Sequence, residues 1–524
     1  DHPSLMRQLG LIIDLEVELT ADVPTSSLCR VTPNWETSRA ENISPWTYYE
    51  INRIAGTFTP RQRPSNPEVQ EGLLRLRDTT AFSLIQTDPD SAAIGLLDRI
   101  NSLDPEDEEA GVPTLRSNGI GVARTGAGIL LLQSFVTSNV HNETLASNPE
   151  KLAFYAEDLI QGYRPDIWWE RPGKAARWYS LTARKGTYEF LRPGRTEEVQ
   201  DEGWVSLAAT SGVSSASTDL HLHEMMFNWT GWSLVVPPVE PGDEETEGQD
   251  DSTESEPLTA MQLRSEFSVP DGSLPRLRFG HTYRIRARAV DLAGNSLPFT
   301  PDLIAPTIED EPGASNPITY RRLEPVGSPL VYAPGVDWDP PEKREADDKD
   351  PRLEKGETVQ RLMIRSYDGE QSTGSREISY RHLAPPVGSV KLAETHGMFD
   401  TDEGFDTALY EDALERSTKP DTYFQRYLIS VGEEGPKAAD VPYCPDPMAK
   451  YIHFKFRRLP YAETFVKSYP LYVGGKSWPD VQTIVFRIDG DTEGKEGKLD
   501  PNRDIDWTEE SHTLTVHLPL YEQY

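Results

Sequence analysis

Polar and apolar positions alternate most legibly between Phe279 and Ser296, where Tyr283, Ile285, Ala287 and Ala289 fall on one face of an extended chain and Arg284, Arg286 and Arg288 on the other. That period of two predicts a strand with one buried face, followed by a Gly-containing turn over Asp291 to Asn295. Upstream, Gly162 to Phe190 reads as a strand, a turn at Arg171-Pro172-Gly173, a second strand and a further turn at Lys185-Gly186. Leu9 to Leu19, Tyr48 to Ile54 and Phe82 to Gln86 are strand candidates in the first part of the chain. Val359 to Tyr367, Tyr451 to Phe456, Thr483 to Ile488 and Thr513 to Leu518 are strand candidates in the last third. Two helices are predicted. One runs from Pro89 to Asn101 with Asp88 as its cap; the other follows Asn148, starts at Pro149 and stops at Gly162. Arg124 to Gly128 reads as a hairpin turn, since it lacks the lysine and the strand-to-helix setting of a phosphate loop.

The fold class is therefore mainly β and multidomain, with at least one β-sandwich and a few short helices. A chain of 524 residues exceeds what one hydrophobic core supports. The expected organisation is a β-rich domain with a short helix over residues 1–147, a sandwich over 148–305, a boundary over 306–357 and a further β domain over 358–524. Glu240 to Pro257 is an acidic stretch without packing residues and reads as a solvated insertion in the sandwich. The chain opens on Asp1 and stops shortly after a strand candidate, so it is expected to be a piece of a longer protein.

Charge narrows the partners. Lys and Arg number 52 against 86 Asp and Glu, a net charge of -34, which repels nucleic-acid phosphates and anionic lipid surfaces. The same excess suits divalent cations or a basic partner, and does not choose between them; protein partners, with self-assembly as one form, are the expectation. The longest apolar run, near Gly128 to Leu132, is too short to cross a bilayer, so no membrane insertion is expected. Two cysteines, Cys29 and Cys444, exclude a disulfide framework and read as two buried thiols, with their pairing left open.

Three places carry candidate chemistry. Asp489, Asp491, Glu493 and Asp500 stand at positions one, three, five and twelve of a calcium-loop pattern, with Gly494 at six. A polar hairpin tip explains the same residues equally well. His221, His223 and Glu224 lie beside Trp229 and Trp232; two histidines on one strand face can share a metal, but no third ligand is near, and Trp229 and Trp232 read as packing residues of the sandwich. His382 to Asp400 holds two histidines, Glu394 and Asp400, and reads as a proline-ordered crossover into a short helix that ends at His396-Gly397. No nucleophile elbow or zinc-protease motif occurs. No catalytic residue is assigned.

The Phe279 to Ser296 segment resembles the F strand and FG loop of fibronectin type III domains, which implies that Tyr283 forms the tyrosine corner of a sandwich. More broadly, LMRQLGLIIDLEVEL (Leu5 on), GYRPDIWWERPGKAARWYSL (Gly162 on), FNWTGWSLVVPP (Phe227 on), LPRLRFGHTYRIRARAVDLAGNSLP (Leu274 on), LMIRSYDG (Leu362 on) and HLAPPVGSVKLAETHGMFD (His382 on) resemble a family of large bacterial and archaeal proteins associated with phage-tail-like extracellular contractile injection systems. The resemblance implies a structural or interaction protein, extracellular or particle-associated, and brings no catalytic residues. The alternative is a polysaccharide-acting hydrolase with carboxylates in a Trp-lined cleft.

Overall fold

The computed structural model describes residues 2–12, 28–31, 49–54, 57–60, 62–102, 117–147, 154–170, 175–191, 194–206, 209–211, 220–222, 225–238, 263–332, 362–364, 378–402, 404–418, 427–430, 436–439, 443–471, 478–479, 481, 484–490 and 497–524. The chain is mainly β, with several sheets and few helices, and divides into two compact units, Asp1–Arg322 and Leu323–Tyr524.

In the first unit helix α1 (Pro3–Gln8) precedes an antiparallel sheet of β1 (Leu28–Val31), β2 (Tyr49–Ile54) and β3 (Thr57–Pro60). The chain continues through β4 (Val69–Gln70), β5 (Leu73–Leu74), β6 (Phe82–Thr87), α2 (Pro89–Ser102), β7 (Gly119–Arg124) and α3 (Ala127–Ser147). Then come β8 (Ile160–Glu170), β9 (Arg177–Ser180), β10 (Ala183–Phe190), β11 (Arg195–Glu202), β12 (Ala209–Ser211), β13 (Leu220–Leu222), β14 (Met225–Trp229), β15 (Leu263–Ser268), β16 (Thr282–Asp291) and β17 (Ile318–Thr319).

Two of these sheets make a sandwich. One has the order β4-β5-β16-β8-β9 with β17 on β16, the other β14-β7-β6. Ile167, Tyr283, Ile285 and Ala287 from the first meet Ile120, Val122, Phe227 and Trp229 from the second in one apolar core, with the Trp229 and Tyr283 rings edge to face at 5.5 Å. The alternation of β16 thus puts its apolar face where the sequence predicted. A third sheet, β11-β10-β15, carries its own small core around Tyr188, Phe190 and Leu5 of α1.

Several expectations change. Residues 1–147 and 148–305 do not form separate domains: β14 pairs with β7 and β16 with β5, so the two stretches share both sheets of the sandwich. Residues 306–322, expected to be boundary, belong to the same unit, with Tyr320 fully buried in its core. Of the helix predicted after Asn148, residues 148–153 lie outside the described residues; the rest forms a single turn at Ala156–Asp158 and then the long strand β8, whose central residues are buried on both faces, which hides the alternation of a strand. Arg124 to Gly128 is not a hairpin turn but a strand-to-helix junction, from β7 into α3, with Gly126 at φ +70°. Lys185-Gly186 is not a turn either. It lies inside β10, where a Cβ on Gly186 would sit 3.0 Å from the Phe267 ring of β15. Leu9 to Ile12 turn back onto α1 rather than extending as a strand, Leu11 N–H donating to the Met6 carbonyl at 2.8 Å; Ile13 to Leu19 lie outside the described residues. The first predicted helix holds, with the Asp88 carboxylate accepting the Ser91 N–H at 2.7 Å as cap of α2.

The second unit is built on a sheet of β18 (Leu330–Tyr332), β19 (Ile378–Ala384), β26 (Ile484–Gly490), β28 (Thr513–Leu518) and β27 (Ile505–Thr508), in that order. Between β19 and β26 the chain forms β20 (Val387–Ser389), α4 (Val390–Thr395), α5 (Thr407–Thr418), β21 (Tyr427–Ser430), β22 (Pro436–Ala439), β23 (Tyr443–Pro445), β24 (Tyr451–Arg457) and β25 (Thr464–Pro470). Its main core gathers Phe486, Leu514, Val516 and Phe456, and a second core packs α4 and α5 through Phe399, Ala413 and Trp478. The three strands predicted over 451–456, 483–488 and 513–518 are β24, β26 and β28. Most of Val359 to Tyr367 and all of Glu240 to Pro257 lie outside the described residues. Cys444 is buried, its Sγ donating to the Gly388 carbonyl at 3.7 Å.

Candidate functional site

The arginine face of β16, expected to look into solvent, is buried. Arg286 is 2% exposed and Arg288 1%. A guanidinium is sequestered this way only when carboxylates and carbonyls meet its five N–H donors. The antiparallel register supplies the first of these, because Arg286 stands directly opposite Asp166 of β8, and Asp166 opposite Ser180 of β9, so all three side chains share one face. Asp166, fully buried, accepts from Arg286 Nε at 3.0 Å and from Arg288 at both Nε (3.0 Å) and Nη2 (2.9 Å).

Two further carboxylates come from outside the sheet. Glu311 accepts from Arg286 Nη1 at 3.2 Å, and its other oxygen takes the Ile304 and Ala305 N–H groups, each at 2.9 Å. Glu202, at the end of β11, binds Arg288 bidentately through Nη1 and Nη2 and also accepts from Ser180 Oγ at 2.6 Å. Arg286 lies against the Trp178 ring at 4.4 Å, a cation–π contact in a dry setting. Arg164, opposite Arg288, is buried on backbone carbonyls of Gly203, Glu202 and Gly294 and on Ser296 Oγ. Arg284 completes the row with Glu309 at 2.9 Å.

The electrostatics follow from this packing. Burial raises the Glu202 pKa in isolation, but the Arg288 hydrogen bond and charge, with Ser180, outweigh it and hold the carboxyl below its ordinary value. Burial likewise works against the Arg288 charge, and Asp166 and Glu202 overturn it, so the guanidinium titrates above its usual range. Arg164, with no carboxylate in hydrogen-bond contact in the network just described, is pulled down by burial. Each of these carboxylates is paired with an arginine.

A cleft of about 630 Å³ opens at the edge of this network, lined by Arg164, Ser180 and Glu202 from it together with Trp178, Phe299 and Arg7 of α1; Tyr179 and Asp201 also line it. Asp201 is paired with Arg184 at 2.9 Å and accepts Ser4 Oγ at 2.8 Å. Arg7 donates to Asn295 Oδ1 at 2.6 Å, and Arg177 lies over the Tyr179 ring at 4.6 Å. The cleft is therefore a concave surface of aromatic faces and paired charges.

The residues singled out in the sequence are placed as follows. Tyr283 Oη donates to the Arg276 carbonyl at 2.8 Å and accepts the Arg278 N–H at 2.9 Å, bonding back to the backbone just upstream as a corner tyrosine does. Trp229 is fully buried in the sandwich core, and Trp232 Nε1 donates to the Val236 carbonyl at 2.9 Å. His223 and Glu224 lie outside the described residues, as do Asp491 and Glu493. Of the other two calcium-loop positions, Asp489 is buried on β26 with Arg487 at 3.4 Å and His517 at 3.9 Å. Asp500 closes a turn, its Oδ1 accepting the Asn502 N–H at 2.9 Å. Among the described residues no group of three or more His, Cys, Asp or Glu side chains is arranged to hold a metal ion. In the 382–400 segment, His382 lies in β19 with its pKa lowered by burial, Glu394 pairs with Lys391 at 2.6 Å, and α4 ends at His396 with Gly397 at φ +76°. Among the described residues no helix is long and apolar enough to cross a membrane. No protein-family model, no curated protein and no solved structure matches this chain.

Proposed function

We propose that the chain is a structural or interaction protein, a β-rich component or accessory of an extracellular, cell-surface or phage-tail-like particle assembly, acting through its surfaces rather than through bond-making chemistry. One observation carries this reading: the carboxylates that line the cleft, Asp201 and Glu202, are each bound to an arginine, and Glu202 is held below its ordinary pKa. A polysaccharide hydrolase needs one carboxyl kept protonated near neutral pH to deliver a proton to the leaving oxygen. Glu202 is tuned in the opposite direction. A paired network of this kind instead fixes the relative placement of three segments, those bearing Asp166, Glu202 and Glu311, around β16. The resemblance of the sequence motifs to the injection-system-associated family points to the same role.

The second reading, a hydrolase, is favoured by the aromatic faces of Trp178 and Tyr179 beside two adjacent carboxylates. One experiment separates the two. The native chain is assayed for reducing-end release on a panel of neutral and acidic polysaccharides, beside Glu202→Gln. Release by the native protein that is lost in E202Q sinks the structural reading; no release, with binding to a protein of the same assembly in a pull-down, supports it.

A further inference from the structure

We propose that the exposed apolar stripe of α3 is a self-association surface that seats the same helix of a second copy of this chain. This rests on the assembly reading above and names the surface it uses. Helix α3 spans Ala127–Ser147, about 31 Å at 1.5 Å per residue. Ile129, Leu132, Val136 and Val140 follow one another at spacings of three and four, so they form a single stripe along it, with Phe135 beside them. All five are more than half exposed, Ile129, Leu132 and Val136 at about two thirds. Isolated exposed apolar residues are ordinary, but five on one helix make a contiguous patch of the kind that marks a contact surface.

Charge decides the occupant. From Ala127 to Asn142 the helix carries no Asp, Glu, Lys or Arg, in a chain where such residues make up 26%. A basic or acidic partner finds no complementary charge on it, and an anionic membrane finds no lysine or arginine to set against the net charge of -34. For two copies that otherwise repel each other, an uncharged face on an uncharged face is the contact with the least like-charge cost. The area fits as well. Five such side chains, at about 100 Å² each, offer roughly 500 Å² of apolar surface, against about 800 Å² per partner in a stable interface of which about 65% is apolar in homodimers. A two-fold axis midway between Leu132 and Val136 sets Leu132 against the second copy's Val136 and brings Ile129 beside its Val140.

The test is sedimentation velocity of the full chain from about 1 to 100 µM at about 0.15 M salt, where a surface charge is screened within about 8 Å. The native chain is expected to form a reversible dimer, and L132D/V136D to dissociate at least a hundredfold more readily. Ile304→Asp, at an equally exposed apolar residue elsewhere, is expected to dimerise like the native chain. Because the double variant places two charges in a helix, Gln133→Cys, beside the stripe and next to the axis, provides an independent readout: mild oxidation should give a disulfide-linked dimer not seen in the parent. Association of L132D/V136D equal to the native chain overturns the assignment of α3 but leaves the assembly reading in place. A native chain that stays monomeric at the top concentration overturns self-association through α3 and passes the assembly reading to the partner pull-down. Sedimentation of the native chain, but not the double variant, with zwitterionic vesicles would reassign the stripe to lipid.

Discussion

Asp166→Asn tests the buried network most directly. The substitution keeps size and shape but removes the charge, and replaces one acceptor oxygen with an NH₂ group facing guanidinium donors. In the native chain that carboxylate takes three hydrogen bonds from Arg286 and Arg288, with both arginines and Asp166 itself almost wholly excluded from water. Breaking one partner out of a buried ion pair costs about 3–5 kcal/mol, because the remaining charge stays desolvated. Two arginines are affected here, but each keeps a second carboxylate, Glu311 for Arg286 and Glu202 for Arg288, so the loss stays within that range rather than doubling. With a urea slope of about 3 kcal/mol/M, the midpoint for the first unit falls by about 1–1.7 M. Urea titration followed by tryptophan fluorescence reads this locally, since Trp178 lies on Arg286 and Trp168 packs against Trp178. Asp310→Asn, in an exposed turn, is the control and should shift the midpoint by less than about 0.5 kcal/mol equivalent. A D166N loss below about 1 kcal/mol would refute the reasoning, since it would mean that water or another group already compensates these arginines.

Three further outcomes follow from the same structure. Glu202 has a folded pKa below its unfolded value near 4.3, so its contribution is full above that pH and is lost as pH falls through the folded pKa; acid unfolding of E202Q should lack this component when compared with the native chain from about pH 5 to 2. Tyr283→Phe removes one donor and one acceptor bonded to buried backbone and should destabilise by about 1–3 kcal/mol in the same urea titration, with the far-UV circular dichroism spectrum unchanged. Gly162→Ala places a Cβ 2.4 Å from Trp204 Cδ1 and 2.7 Å from the Val205 carbonyl, where Tyr163 and Val205 exchange backbone bonds, and should cost about 1–3 kcal/mol through a lowered thermal midpoint.

The alternation of β16 was legible because its apolar face has the period of a strand, and Tyr283, Ile285 and Ala287 do enter the sandwich core. The fate of the other face was not legible: three arginines at every second residue look the same whether they meet water or carboxylates. The carboxylates lie 120 residues before Arg286 at Asp166, and at Glu202 and Glu311, among 86 acids of which most carry no such role. One signal was present in the chain. Asp166 stands between Pro165 and Ile167 in a strand whose other residues are mostly apolar or aromatic, and a lone acid in such a run needs a buried cation. Helix α3 escaped notice because Ile129 to Leu132 are consecutive apolar residues, which give no helical stripe of their own, and Gly126 and Gly128 read as turn residues. The helix expected from Pro149 to Gly162 failed for the converse reason: Tyr155, Leu159 and Ile160 stand at helical spacing, yet Ile160 begins a strand.

The arginine row on β16 also bears on how the chain finds its pairing. A one-residue slip of β8 against β16 is forbidden, since it would drive the guanidinium groups into the apolar core. A two-residue slip is another matter, because Asp166 would then face Arg284 or Arg288 and still find a cation, leaving the two-strand ladder nearly degenerate between three alignments. What separates them lies outside the pairing itself: the Tyr283 hydroxyl tied to Arg276 and Arg278, and Glu311 and Glu202 reaching in from other segments. The alignment is therefore fixed by anchors outside the two-strand ladder and not by the central charge pair alone.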